Sequence, residues 1–109
     1  MNNMSEKTSF LLVFGNTPVV RVLDFLIDNQ EFDYSLTDIA KGAEVGWSTL
    51  HKFWTDVVKL DIVHPTRKIG RAELYKLNLQ SPLVKKLIEI DSLVSKQLLF
   101  KEIKQKVKT

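Results

Sequence analysis

Two sets of side chains in this chain have types and spacing suited to work on a polyanion. Arg67, Lys68 and Arg71 surround Gly70, and cations gathered on a turn can neutralise phosphates. Upstream, Trp47, Ser48, Thr49, His51 and Lys52 bring hydroxyls, an imidazole, an ammonium and an indole into less than two helical turns. That mixture of donors, acceptors and apolar surface is what base edges and neighbouring phosphates present partners for.

Catalytic chemistry finds less support. The two histidines, His51 and His64, form no metal-ligand cluster or nucleophile-base pair, and no glycine-rich phosphate loop is present. With no cysteine, disulfides, thiolate zinc sites and cysteine nucleophiles are excluded. Asp24, Asp28, Glu31 and Asp33 could gather near one hard cation, but they read more simply as a solvated acidic face. The expectation is a protein that is not an enzyme and needs no metal, cofactor or small-molecule ligand.

The charge of +3 is unevenly spread. Residues 1–40 carry −4, residues 41–76 carry +3 and residues 77–109 carry +4, so the positive charge falls on the two candidate groups and the segment after them. The 109 residues, 44% apolar and 27% charged, suit one globular domain. The apolar run Ser9 to Phe14 is too short to span a membrane and follows Glu6, so it reads as folded structure in a cytoplasmic protein.

The elements that must position these groups follow from capping and periodicity. A short helix from about Ser5 to Phe14 closes at Gly15. Thr17 caps a second helix begun by Pro18, with Val19, Val22, Leu23, Leu26 and Ile27 as its buried stripe and Arg21, Asp24 and Asp28 on the opposite face. Tyr34 and Ser35 allow a very short strand, and Ser35 caps a helix from Leu36 to about Gly42. A further helix runs from Gly46 or Trp47 to about Leu60, burying Leu50, Phe53 or Trp54, Val57 and Leu60. Strands at Ile62–Arg67 and Ala72–Leu79 flank a turn at Lys68 to Arg71, with Pro65 toward an edge. Ser81 and Pro82 start a final helix that runs almost to the end of the chain. The fold class is mainly α with a small β-hairpin, in three parts: an arm or short helix at 1–14, a central domain at 15–80 and a helix at 81–109.

In that order, Gly15-Asn16-Thr17-Pro18, Leu36-Thr37-Asp38-Ile39-Ala40, Ser48-Thr49-Leu50 and Arg67-Lys68-Ile69-Gly70-Arg71, followed by Leu74-Tyr75-Lys76-Leu77-Asn78, resemble the winged helix-turn-helix transcriptional regulators, particularly the small archaeal kind. The resemblance covers about residues 15–79. It implies double-stranded DNA as partner, with the helix from Trp47 in the major groove and the hairpin, or wing, on the backbone or in the minor groove. Trp47, Ser48, Thr49, His51, Lys52, Arg67, Lys68, Gly70 and Arg71 then form the DNA-binding set. The chain departs from the family pattern in having Glu44 and Gly46 in the turn and Trp47 where a polar residue or arginine is frequent. Glu44 near a groove repels phosphate, or accepts from a cytosine amino group.

The last helix carries Leu83, Leu87, Ile90, Val94 and Leu98 at spacings of four and three, widened by Val84, Ile88, Leu99, Ile103 and Val107. So apolar a helix points to a homodimer, packed on its symmetry mate and on Phe10, Leu11 and Phe14. The leading expectation is a dimeric sequence-specific regulator, a repressor or autoregulator. The alternatives are an architectural or plasmid-partition protein of low sequence specificity, and a winged-helix adaptor that binds protein.

Overall fold

A computed structural model describes residues 8–108, with side chains through residue 105. The expected helix start at Ser5 and the side chain of Val107 lie outside that range. The helices are α1 (Ser9–Phe14), α2 (Pro18–Asp28), α3 (Leu36–Ala43), α4 (Trp47–Lys59) and α5 (Pro82–Lys108), with strands β1 (Tyr34–Ser35), β2 (Val63–Ile69) and β3 (Ala72–Leu77).

Local chemistry sets most helix starts. The hydroxyls of Thr8, Thr17, Ser35 and Ser81 accept from the amides of Leu11, Val20, Asp38 and Val84, each three residues on, and so satisfy donors that a helix leaves unpaired. Gly15, at φ 92°, ends α1 in a conformation other residues resist.

The three strands form one antiparallel sheet in the order β1-β3-β2. Pro65 lies on the edge strand β2, where its missing N–H breaks no ladder. The register slips between Pro65 and Arg67, so Thr66 is an extra residue in β2 and the hairpin twists beyond it. Ile69 pairs with Ala72, which narrows the turn to Gly70 and Arg71 and lengthens β2 past its expected end, while β3 stops at Leu77 instead of Leu79.

Val22, Leu26, Ile39, Leu50, Trp54, Val57, Ile62 and Leu77 make one core between α2, α3, α4 and the sheet, joined by Phe10 from α1 and Val84 from α5. At 0% exposure, Leu50 seats α4 on this core; truncating such a leucine to alanine costs about 2–5 kcal/mol. Two α2 readings need correction. Val19 is 40% exposed, whereas Asp24 is 9% exposed, because α1 packs on both α2 and α5 and covers a flank that periodicity assigned to solvent. Burial, then the nearby Asp28, raise the Asp24 carboxyl to about 6; Thr8 lowers it by hydrogen bonding and Asp91 of α5 raises it further. Asp28 and Asp91 are also raised, both chiefly by burial. Leu60, expected inside, is 58% exposed, because α4 ends at Lys59 and the chain reverses through Asp61 at φ 59° to bury Ile62 instead.

A 27-residue helix such as α5 is about 40 Å long, which accounts for a long axis of 57 Å against 32 and 21 Å. Its first half packs on the domain through Val84, Leu87 and Ile88, and a bond between the Ser9 and Ser95 hydroxyls at 2.7 Å ties it to α1. Farther along, Leu98, Leu99, Phe100 and Ile103 are exposed.

Candidate nucleic-acid interface

The helix α3, a turn at Glu44, Val45 and Gly46, and α4 form the helix-turn-helix. Glu44 adopts the left-handed conformation at φ 57°, and its N–H closes α3 on the carbonyls of Ala40 and Lys41. Arg21 of α2 holds this turn from below: Nε donates to the Ala43 carbonyl at 3.1 Å and Nη2 to the Glu44 carbonyl at 3.2 Å. Its Nη1 donates to Asn16 Oδ1 at 2.9 Å. Helical spacing alone sets Arg21 on a solvated face, since it carries no signal for a partner 22 residues away.

The start of α4 differs from the other described helix starts in having Gly46 at its cap, with no side-chain acceptor. Its first amides are therefore open to an acceptor from outside. Leu50, Trp54 and Val57 turn inward, leaving Trp47, Ser48, His51 and Lys52 exposed on one face. Thr55 continues that face one turn on; it is absent from the expected set, although its spacing from Ser48 and Lys52 is the signal that finds it. Thr49 is half-buried, its hydroxyl on the Gly46 side. The Trp47 and His51 rings meet edge-on with centroids 4.2 Å apart.

On the wing, Gly70 takes φ 63° and the exposed side chains of Lys68, Ile69 and Arg71 cluster at the tip. Ile69, 57% exposed, is a further residue outside the expected set; it is an apolar group between two cations, the combination that enters a minor groove. Arg67 is engaged within the chain. Its Nε donates to Asp33 Oδ2 at 3.0 Å and Nη2 to Oδ1 at 3.2 Å, a bidentate pair, and Thr66 donates to the same carboxylate at 2.6 Å. The hydrogen bonds of Arg67 and Thr66 hold the Asp33 carboxyl down at about 2, and Asp33 in turn raises the Arg67 guanidinium. Of the expected DNA-contact set, Trp47, Ser48, His51, Lys52, Lys68, Gly70 and Arg71 are exposed, Thr49 is half-buried, and Arg67, exposed as well, is paired with Asp33. His64 is exposed on β2 opposite Lys76.

The expected dimerisation residues divide as well. Phe10 and Leu11 are buried within the single chain, on the helix that packs against both α2 and α5. Leu87, Ile90 and Val94 are half-buried, whereas Phe14, Leu83 and Leu98 are exposed. Among the described residues, no group of three or more potential ligands is placed to hold a metal ion, and no helix is long and apolar enough to cross a membrane.

Neither a protein-family model nor a curated protein matches the sequence. Solved structures do. A MepR variant of Staphylococcus aureus bound to an oligodeoxyribonucleotide superposes with a TM-score of 0.63 at 14% identity, over 89% of this chain and 70% of that one. The adhesin competence repressor AdcR of Streptococcus pyogenes gives 0.58 at 18% identity, over 82% of this chain and 66% of its own. Sso10a-2, a DNA-binding protein from Sulfolobus solfataricus, gives 0.54 at 16% identity, over 85% of this chain and 93% of its own. With its helix-turn-helix, three-stranded sheet and two-residue wing tip, the chain has the winged helix-turn-helix fold that these DNA-binding proteins share.

Proposed function

We propose that this protein is a homodimeric, sequence-specific regulator of transcription that binds double-stranded DNA and acts as a repressor by occupying its site. The observation that carries the reading is the joint exposure of the outer face of α4 and the cationic wing tip, Lys68 to Arg71. A major groove admits a helix, while the adjacent backbone and minor groove take the wing. The similarity to a DNA-bound MepR supports the same use of the fold. Exposed Leu98, Leu99, Phe100 and Ile103 on α5, with Leu12, Val13 and Phe14 on α1, form an apolar surface that one copy leaves wet, which supports a dimer. Two copies would present their α4 helices to half-sites about one DNA turn apart.

The test is fluorescence anisotropy with a duplex enriched from a random pool and with unselected duplex, at two salt concentrations, alongside light scattering. Replacing Lys68 and Arg71 together by alanine should weaken binding to both duplexes and lower the salt slope by about 2, one for each phosphate that is no longer neutralised. The wild type should scatter at twice the 12.6 kDa of one chain. An unchanged salt slope in the double variant removes the wing from the interface, and a monomer under binding conditions removes the dimer. The positive charge of residues 77–109, +4, equally suits a second reading, an architectural DNA-binding protein of low sequence specificity. In that case unselected duplex would compete as well as enriched duplex.

A further inference from the structure

We infer that Trp47 reads the 5-methyl group of thymine, which makes it the specificity-determining residue of α4. This inference rests on the DNA-binding reading above and names the base it selects.

Trp47 is the first residue of α4 and is 51% exposed, an unusual place for so large an apolar group. The edge of His51, one turn on, steadies the ring at a centroid distance of 4.2 Å, so little side-chain freedom remains to be lost on binding. The other side of Trp47 borders a groove between α3 and α4, with Thr37, Lys41 and Glu44 along it. That groove sets one cation, Lys41, against the Glu44 carboxylate and so offers a phosphate strand no net charge, whereas the wing tip adds the exposed cations Lys68 and Arg71. With α4 in the major groove, as the DNA-binding reading has it, the exposed indole at its N-terminal end meets base edges. In the major groove those edges present donors, acceptors and ring C–H groups, and the methyl of thymine is the one apolar group that projects from them. An indole that displaces water from this methyl gains from its apolar area, while against cytosine or guanine it would strand polar atoms without partners.

The experiment replaces each thymine of a duplex enriched from a random pool by deoxyuridine, one at a time, which removes the methyl and keeps every hydrogen bond. Binding is measured for the wild type, Trp47→Ala and Trp47→Leu, with circular dichroism to verify the fold. At one or two positions in each half-site, deoxyuridine should weaken wild-type binding about fourfold, the equivalent of ~0.8 kcal/mol for one methyl carbon kept in water. The penalty should vanish in Trp47→Ala and persist in part in Trp47→Leu, which retains apolar surface. A flat scan in the wild type, or a penalty that survives in Trp47→Ala or is absent from Trp47→Leu, overturns the inference while leaving DNA binding intact. Should the wild type bind duplex but enrich no sequence from the pool, the sequence-specific reading beneath it falls instead, and only a failure to bind any duplex removes DNA binding itself.

Discussion

Replacing Arg21 by methionine tests whether the helix-turn-helix is held from α2. Methionine keeps the packing of the stem but removes the guanidinium with its bonds to Ala43 O, Glu44 O and Asn16 Oδ1, at 3.1, 3.2 and 2.9 Å. Hydrogen bonds to a charged group contribute about 1.5–3 kcal/mol each when enclosed. Here one of the three is partly buried and the other two are exposed, so water replaces most of the exposed pair and the bonds together should contribute about 1–1.5 kcal/mol. The cation also sits at the C-terminal end of α3, where the helix dipole adds about 0.3–1 kcal/mol. The sum is about 2 kcal/mol, which in a domain of this size lowers Tm by about 8–16 °C. Urea and thermal unfolding at neutral pH, followed by far-ultraviolet circular dichroism, measure it. Arg21→Lys should fall between, since lysine keeps the charge but cannot reach three acceptors. A loss below about 0.5 kcal/mol for Arg21→Met, the range of an ordinary surface change, would refute the idea that this arginine fixes the turn.

Two further substitutions probe the packing around α2. Because burial raises the Asp24 carboxyl to about 6, the folded state holds a proton between about pH 4 and 6 that the unfolded chain releases, so stability falls as pH rises through that window. Asp24→Asn should flatten this slope in denaturant titrations from pH 4 to 7 and stabilise the protein at pH 7 by about 1–2 kcal/mol, after allowance for solvent screening of a partly hydrated group. An equal slope in the variant would locate the titration elsewhere. Gly42→Ala drives a Cβ into the Cδ1–Cε1–Cζ edge of the Phe25 ring, which must swing from its edge-on contact with Tyr34, where the centroids lie 5.1 Å apart. Overpacking of about 1–3 kcal/mol should outweigh the gain of about 1 kcal/mol in helix propensity. A variant more stable than the wild type would show that Phe25 has room to move.

The elements written in short-range chemistry were legible before the structure. Thr17 with Pro18, Ser35 with Asp38, and Ser81 with Pro82 announce helix starts through bonds that span three residues, and each helix begins where its cap stands. Leu50, Trp54 and Val57 recur at the helical period because one side of α4 meets one core. The same reasoning misplaced Asp24 and Val19 because α2 is covered on more than one side, a situation periodicity cannot express: a single stripe assumes a single neighbour. Leu60 failed for a different reason. Its spacing continues the stripe, but the left-handed residue after it ends the helix, and the apolar role passes to Ile62.

Arg67 shows where reading residue types along a chain reaches its limit. Three basic residues close to Gly70 invite the same role for each, yet Asp33 lies 34 residues before Arg67 and changes what that one can do. A carboxyl held down at about 2 is ionised throughout the physiological range, so under the proposed function its partner is already paired before a duplex approaches. Turning Arg67 toward a phosphate would leave Asp33 and its negative charge facing the DNA, whereas keeping the pair fixes the base of a hairpin whose tip projects into solvent. The bulge at Thr66 serves the same end, since the extra residue aims a hydroxyl at Asp33 while the strand beyond it twists toward the tip. The consequence is a division of labour along one short hairpin: Thr66 and Arg67 brace, Lys68, Ile69 and Arg71 meet the outside, and the acid that separates the two roles comes from the loop after α2.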